Sequence, residues 1–257
     1  MTRTLLSVIQ RPMSAYAPDT SDRHAALARA RGYPYPIPER SYHWRKSQVH
    51  DFDPARTEGR TPVLAVGSNQ SPEQITRKFG HVEGAEIPVQ RCTLQGFDVV
   101  YSAHIAGYGS VPAMLQAAPS TTVTLFVNWL DAAQLAAMHE TELRSGNYYY
   151  GRLDEIALTL EGGETLTSVH GYISRRGHIR HGDEGIALVK VTAQNRQRPA
   201  QDTAQMLAHV HERIASNEPL DDFILRLIDE PDFRQSVIAE LSTDSVDFAA
   251  AYKIVEE

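Results

Sequence analysis

Between residues 61 and 195 this chain offers six strand-like runs and only two helical ones, and that ratio restricts the fold more than any other feature. The runs are Val63–Val66, Gln95–Ser102, Thr121–Leu130, Tyr148–Thr159, Thr167–Ser174 and Gly185–Thr192. Several alternate apolar and polar residues, as Thr122 to Trp129 do, which is the period of a strand with one covered face. The helical stretches are Pro72–Phe79 and Asp131–Glu142. In the second, Asp131 is placed to cap the helix, and Leu135, Met138 and Leu143 mark its buried face. A doubly wound parallel sheet needs a helix between most of its strands. The pattern therefore predicts an α+β fold, a small mixed sheet closing toward a barrel with helices at its flanks.

The flanks read differently. Residues 1–60 are expected to form an arm that wraps the core. The tract Gly32 to Pro38 alternates prolines and is forced into extended backbone. Tyr33, Tyr35 and Trp44 are its natural anchors. Residues 196–257 are expected to be a helical extension. Leu220, Phe223, Ile224, Leu227 and Ile228 make an apolar stripe at helical spacing. A stripe this wide needs cover from the barrel, from neighbouring helices or from a second copy of the chain, which would make a homodimer through these helices.

Composition excludes some functions. The 257 residues carry a net charge of −7 and no long basic run, which disfavours nucleic-acid binding. No apolar run approaches the ~18 residues of a membrane span. Met1 to Gln10 is too short in its apolar part for a secretory leader. Cys92 stands alone, so neither a disulfide framework nor a cysteine zinc site is available. A cytoplasmic protein fits all of this.

The chemistry is suggested by order along the chain. Val63 to Val66 breaks into Gly67-Ser68-Asn69, and Ser71-Pro72-Glu73 then opens a helix. Such a strand–turn–helix junction exposes backbone N–H groups beside a positive helix end and can hold a carboxylate or an oxyanion; many such turns are only turns. Next come Gly96-Phe97-Asp98-Val99-Val100-Tyr101-Ser102, then Gly109-Ser110-Val111-Pro112-Ala113 and the strand Val123 to Leu130. Leu135-x-x-Met138-His139-x-x-Glu142 leads into Tyr148-Tyr149-Tyr150. Over residues 62–175 this order resembles the gamma-glutamylcyclotransferase-like family, in which a Y-G-S-N turn, a G-[FY]-x-[VL]-x-[FY]-S strand and an L-x-x-L-D-x-x-E helix end follow one another.

The resemblance implies a cofactor-independent reaction without a metal. The α-amine of a gamma-glutamyl amine would attack its own γ-carbonyl, releasing 5-oxoproline and the free amine. It implies Glu142 as the proton carrier. Val66, Gly67, Ser68 and Asn69 would bind substrate, with Tyr148 and Tyr150, which share one strand face, offering hydroxyls. Two positions differ from the family pattern: Val66 replaces its aromatic residue, and His139 replaces its Asp. Glu140 competes with Glu142 but lies on the opposite helix face. Burial at the helix end is expected to raise the Glu142 pKa. The partner is a small molecule of gamma-glutamyl type. A non-catalytic binding or regulatory module on the same barrel and an amide hydrolase using Glu142 are the alternatives. The basic loop Arg175 to His181 is either a clamp for an acidic leaving group or a solvated loop. His209 and His211 diverge on a helix and cannot share a metal.

Overall fold

A sheet with one apolar face must curl on itself or be covered, and this chain does both. The computed structural model describes residues 22–182 and 184–256. Met1 to Gln10 lies outside the described residues. In chain order come α1 (Arg23–Arg31), a hairpin of β1 (Tyr42–Arg45) and β2 (Gln48–Asp51), β3 (Thr61–Ala65) and α2 (Pro72–Phe79). They are followed by β4 (Glu86–Tyr101), β5 (Ala113–Leu130), α3 (Ala132–Glu142), β6 (Tyr148–Leu160) and β7 (Thr165–Ser174). Short strands β8 (Arg180–His181), β9 (Glu184–Gly185), β10 (Ala187–Leu188), β11 (Ala193–Gln194) and β12 (Ala200–Gln201) precede α4 (Thr203–Arg213), α5 (Leu220–Asp229), α6 (Pro231–Leu241) and β13 (Lys253–Glu256).

The ring runs β5, β3, β7, β6, β4 and closes because β4 also pairs with β5. β3 and β7 are parallel, and the other ring pairs are antiparallel. The fold is therefore α+β, a closed mixed barrel with helices around it. One glycine sets how β4 bends into it. Gly96 takes φ 84 and falls where the β4–β5 register shifts between Gln95 and Phe97. The extra residue flips the alternation. Before the bulge Cys92 and Leu94 enter the larger core; after it Phe97, Val99 and Tyr101 do.

That core also takes α1, α4, α5 and α6, through residues such as Leu27, Leu207, Phe223 and Val237. The α5 stripe is thus covered within the chain, with Phe223, Ile224, Leu227 and Ile228 all buried and Leu220 partly so. A second core forms where Ile75 and Phe79 of α2 and Met138 of α3 meet Val63, Ala65 and Phe126. The candidate site lies at this second face.

Three elements differ from expectation. The polar stretch after Ser41 contains the β1–β2 hairpin, and β1 pairs with β4 because Tyr42, His43 and Trp44 are buried. The run Gly185–Thr192 is broken into short strands rather than one. The C-terminal extension is not only helical: β13 adds to β6, pairing Lys253 with Arg152.

α3 starts with a complete capping box. Asp131 accepts from the Gln134 N–H, and the Gln134 side chain accepts from the Asp131 N–H. Asp131→Ala is expected to cost about 1 kcal/mol. Urea unfolding measures this, and an unchanged midpoint would show that the box adds nothing.

Candidate functional site

The site begins where β3 ends. Gly67 takes φ −118 and ψ −126, and Ser68–Gln70 form one turn of 3-10 helix. Gln70, 1% exposed, fastens this turn from behind. Its side-chain amide donates to the carbonyls of Val66 at 3.0 Å and Gly67 at 3.2 Å. Ser71 then caps α2 through the Glu73 N–H, with Pro72 at the first helical position. Asn128 on β5 donates to the Asn69 carbonyl at 3.2 Å. The turn is held on three sides before any ligand arrives.

Glu142, the last residue of α3, reaches this turn. The Asn69 side-chain amide donates to its Oε1 at 3.0 Å. Lys78 of α2 forms an ion pair with the same oxygen. Its Nζ also lies 3.3 Å from Met138 Sδ. The Lys78 and Glu142 side chains are only 7% and 16% exposed. Glu140, in contrast, is exposed. The expectation of a raised pKa is corrected. Burial pushes the Glu142 carboxyl up, but the Lys78 charge and the hydrogen bonds from Lys78 and Asn69 outweigh it, and the net direction is down. Glu142 is therefore an ionised carboxylate in a mostly dry place.

Three tyrosines, Tyr33, Tyr148 and Tyr172, stand within electrostatic reach of it. Burial first, and the Glu142 charge second, drive the Tyr148 hydroxyl well above its ordinary pKa. Tyr33 is raised by burial and by the same carboxylate. Both stay protonated. Tyr150 is placed differently. Its ring packs edge-on against His139 at 4.5 Å and stacks on His170 at 5.2 Å. Among the described residues, no hydrogen bond or ring contact links it to Glu142. His139 bonds the Tyr172 hydroxyl at 2.8 Å. Burial lowers its pKa more than Glu256 raises it, so it adds no charge at neutral pH. The structure thus brings together Glu142, Asn69, Gly67, Ser68 and Tyr148. It leaves Val66 as a carbonyl anchor and Tyr150 in a neighbouring aromatic cluster.

Two side chains were not expected at this site, Tyr33 having been read only as an anchor of the arm. Lys78 follows Ile75 by one helical turn on the buried face of α2, and a lysine there was a usable signal of a buried partner. Tyr33 comes from the arm, and nothing local announces its destination.

The remaining candidates are engaged elsewhere. In the basic loop, the Arg175 guanidinium lies 4.4 Å from the Tyr149 ring centroid, and Arg176 donates to Asn147 Oδ1 at 3.0 Å. His178 is buried against Gln116 at 2.9 Å. Burial pushes the Cys92 thiol up to about 12, which leaves it inert. Clefts open on the surface among the described residues. One is lined by Arg40, Tyr42 and His50, and another by Gln70, Arg91, Phe126 and Lys190. Glu142 lines neither.

No protein-family model matches the chain, and no curated protein matches it. Among solved structures, the chain is similar to gamma-glutamyl cyclotransferase, at 13% identity and a TM-score of 0.35, over 74% of this chain and 92% of that one. It is likewise similar to the uncharacterized protein loc79017 from Homo sapiens, at 13% identity and a TM-score of 0.38, over 76% of this chain and 94% of that one.

Proposed function

We propose that the chain catalyses intramolecular acyl transfer on a gamma-glutamyl amine, releasing 5-oxoproline and the free amine. The observation that supports this reading is the buried Glu142 carboxylate held against the turn by Asn69, with Lys78 beside it. The α-ammonium of the substrate must lose a proton before it can attack. Near the Lys78 charge and away from water, that ammonium is disfavoured. Glu142, already ionised, takes the proton. The amine nitrogen then bonds to the γ-carbonyl carbon, and the oxyanion that forms is met by N–H donors of the turn. As the original C–N bond breaks, Glu142 returns this proton to the departing nitrogen and then carries across the second proton that the attacking nitrogen must lose, so the lactam keeps one N–H and the amine leaves as an ammonium. Every bond and proton is accounted for by the substrate and one carboxylate. The reaction also requires that the substrate be folded so that amine and carbonyl meet.

The test is incubation with a panel of gamma-glutamyl amines and mass detection of products. Cyclic 5-oxoproline is the expected product. Free glutamate instead would mean that Glu142 activates water and the protein is an amide hydrolase. Neither product from any member of the panel would remove the enzymatic reading and leave a binding module.

A further inference from the structure

Tyr35 holds a backbone conformation that bulky residues rarely adopt. Its φ is 69, although Pro36 follows it and biases it toward extended backbone. Such strain persists only where the surroundings impose it, and it gathers at ligand sites. The side chain adds a second anomaly. Tyr35 is 7% exposed, and its hydroxyl is buried without a well-formed hydrogen bond among the described residues. Arg29, half-buried in the last turn of α1, shares this defect, because its Nε is buried without an acceptor among them. The helix pairs its other arginines, Arg23 with Asp222 and Arg31 with Asp221, and leaves Arg29 without an acid among the described residues.

The two side chains belong to one cluster. The Arg29 guanidinium lies 4.9 Å from the Tyr108 ring centroid, and the Tyr108 ring lies 6.5 Å from that of Tyr35. Arg77 of α2 covers the Tyr35 ring at 4.3 Å, but it is paired with Glu73. Burial raises the Tyr35 pKa against the opposing Arg77 and Arg29 charges, so the hydroxyl keeps its proton. The cluster thus holds an O–H, a guanidinium N–H and one cation without a counter-charge. Buried donors left unpaired are costly, and a carboxylate supplies both the oxygens and the single negative charge that this set lacks.

The cluster adjoins the candidate site through Tyr33. That ring stands edge-on to Tyr35 at 6.3 Å. Its hydroxyl accepts from the Ala113 N–H at 2.9 Å, and a Cβ built on Gly67 would lie 2.0 Å from the same oxygen. Tyr33 therefore reaches the turn with its hydroxyl and Tyr35 with its ring. Arg29, Tyr33 and Tyr35 all lie outside residues 62–175, so the family resemblance assigns none of them a role.

We infer that Arg29 and Tyr35 form a carboxylate site beside the candidate site, and that it selects a departing amine that carries a carboxylate. The inference rests on the gamma-glutamyl reading for what arrives; the carboxylate site itself needs no catalysis. On that reading the turn and Glu142 engage the reacting end of the substrate. The carboxylate that reaches the arm then belongs to the other end, the amine.

The experiment measures calorimetric binding of glutarylglycine and glutarylglycylglycine, each against its terminal amide. Neither has the α-amine that lactam formation needs, so binding is read without turnover. The wild type should bind the acid about tenfold more tightly than the amide at one of the two lengths, as a charge-assisted pair allows. Arg29→Gln should abolish that preference, Arg29→Lys should keep part of it, and Tyr35→Phe should weaken it. Equal affinity for acid and amide, no binding of either, or a preference that survives Arg29→Gln would overturn the inference. Loss of acid and amide binding alike in Arg29→Gln would also overturn it and make Arg29 a support for the arm. Turnover of gamma-glutamylglycine and its amide separates this from the enzymatic reading. An acid preference with no 5-oxoproline formed removes the enzyme and keeps the carboxylate site. Formation of 5-oxoproline from both alike, without the preference, does the reverse.

Discussion

Glu142→Gln is expected to lower turnover of a gamma-glutamyl amine by about 10²- to 10⁴-fold, the usual contribution of a positioned proton carrier. Glutamine keeps the size of the side chain and an oxygen for the Asn69 amide to reach, but it cannot carry the proton. The substitution has a second effect that must be separated from the first. It strips the counter-charge from Lys78, whose side chain is only 7% exposed, and an unpaired buried ammonium destabilises the fold. Loss of activity in Glu142→Gln alone could therefore reflect unfolding. The double variant Glu142→Gln with Lys78→Met removes both charges and keeps the packing, so it should recover stability and stay inactive. Comparable turnover in a folded double variant would show that Glu142 is not the proton carrier.

The parts of this molecule legible in the sequence are those with local periodicity. α2 has the expected bounds, Pro72–Phe79, because its Ser71 cap and apolar spacing are local, and α5 carries the expected apolar stripe although no side chain caps it. β4 was visible only in its second half. Its first half holds Pro88, which gives no ladder N–H, and a buried Gln90 among the half-buried Glu86, Arg91 and Thr93, so no alternation stands out. β13 is exposed along its length, and only pairing with β6 makes it a strand. The site divides in the same way. Asn69 sits on a Gly-containing turn and Glu142 at a capped helix end, both local signals. The direction of the Glu142 pKa was misjudged because burial was weighed without Lys78, which lies on another helix, 64 positions away in sequence. Tyr33 reaches Ala113 across 80 positions, and no spacing rule links an arm to a strand start.

Lys78→Met should change the shape of the stability–pH curve rather than merely lower it. In the wild type the folded Glu142 pKa lies below its ordinary value of 4.5, so the pair stabilises the fold above about that pH and this contribution is lost as pH falls through the lower folded value. Methionine fills the apolar path of the lysine stem and can still pack against Met138. It leaves the carboxylate with Asn69 as its remaining donor. Burial, no longer opposed by a cation, then pushes the carboxyl above its ordinary value. The sign of the linkage reverses: stability should now fall as pH rises from about 4.5, because the unfolded chain releases this proton more readily than the folded one. At neutral pH the loss should be about 3–5 kcal/mol, less whatever the group recovers by staying protonated. Activity should follow, since a protonated Glu142 cannot accept a proton, and the acid limb of kcat/KM should move upward. Urea unfolding and initial rates across pH 4 to 8 measure both. Parallel stability curves and an unmoved acid limb would mean that Lys78 is not what keeps Glu142 ionised, and the charge would have to be supported by the turn alone.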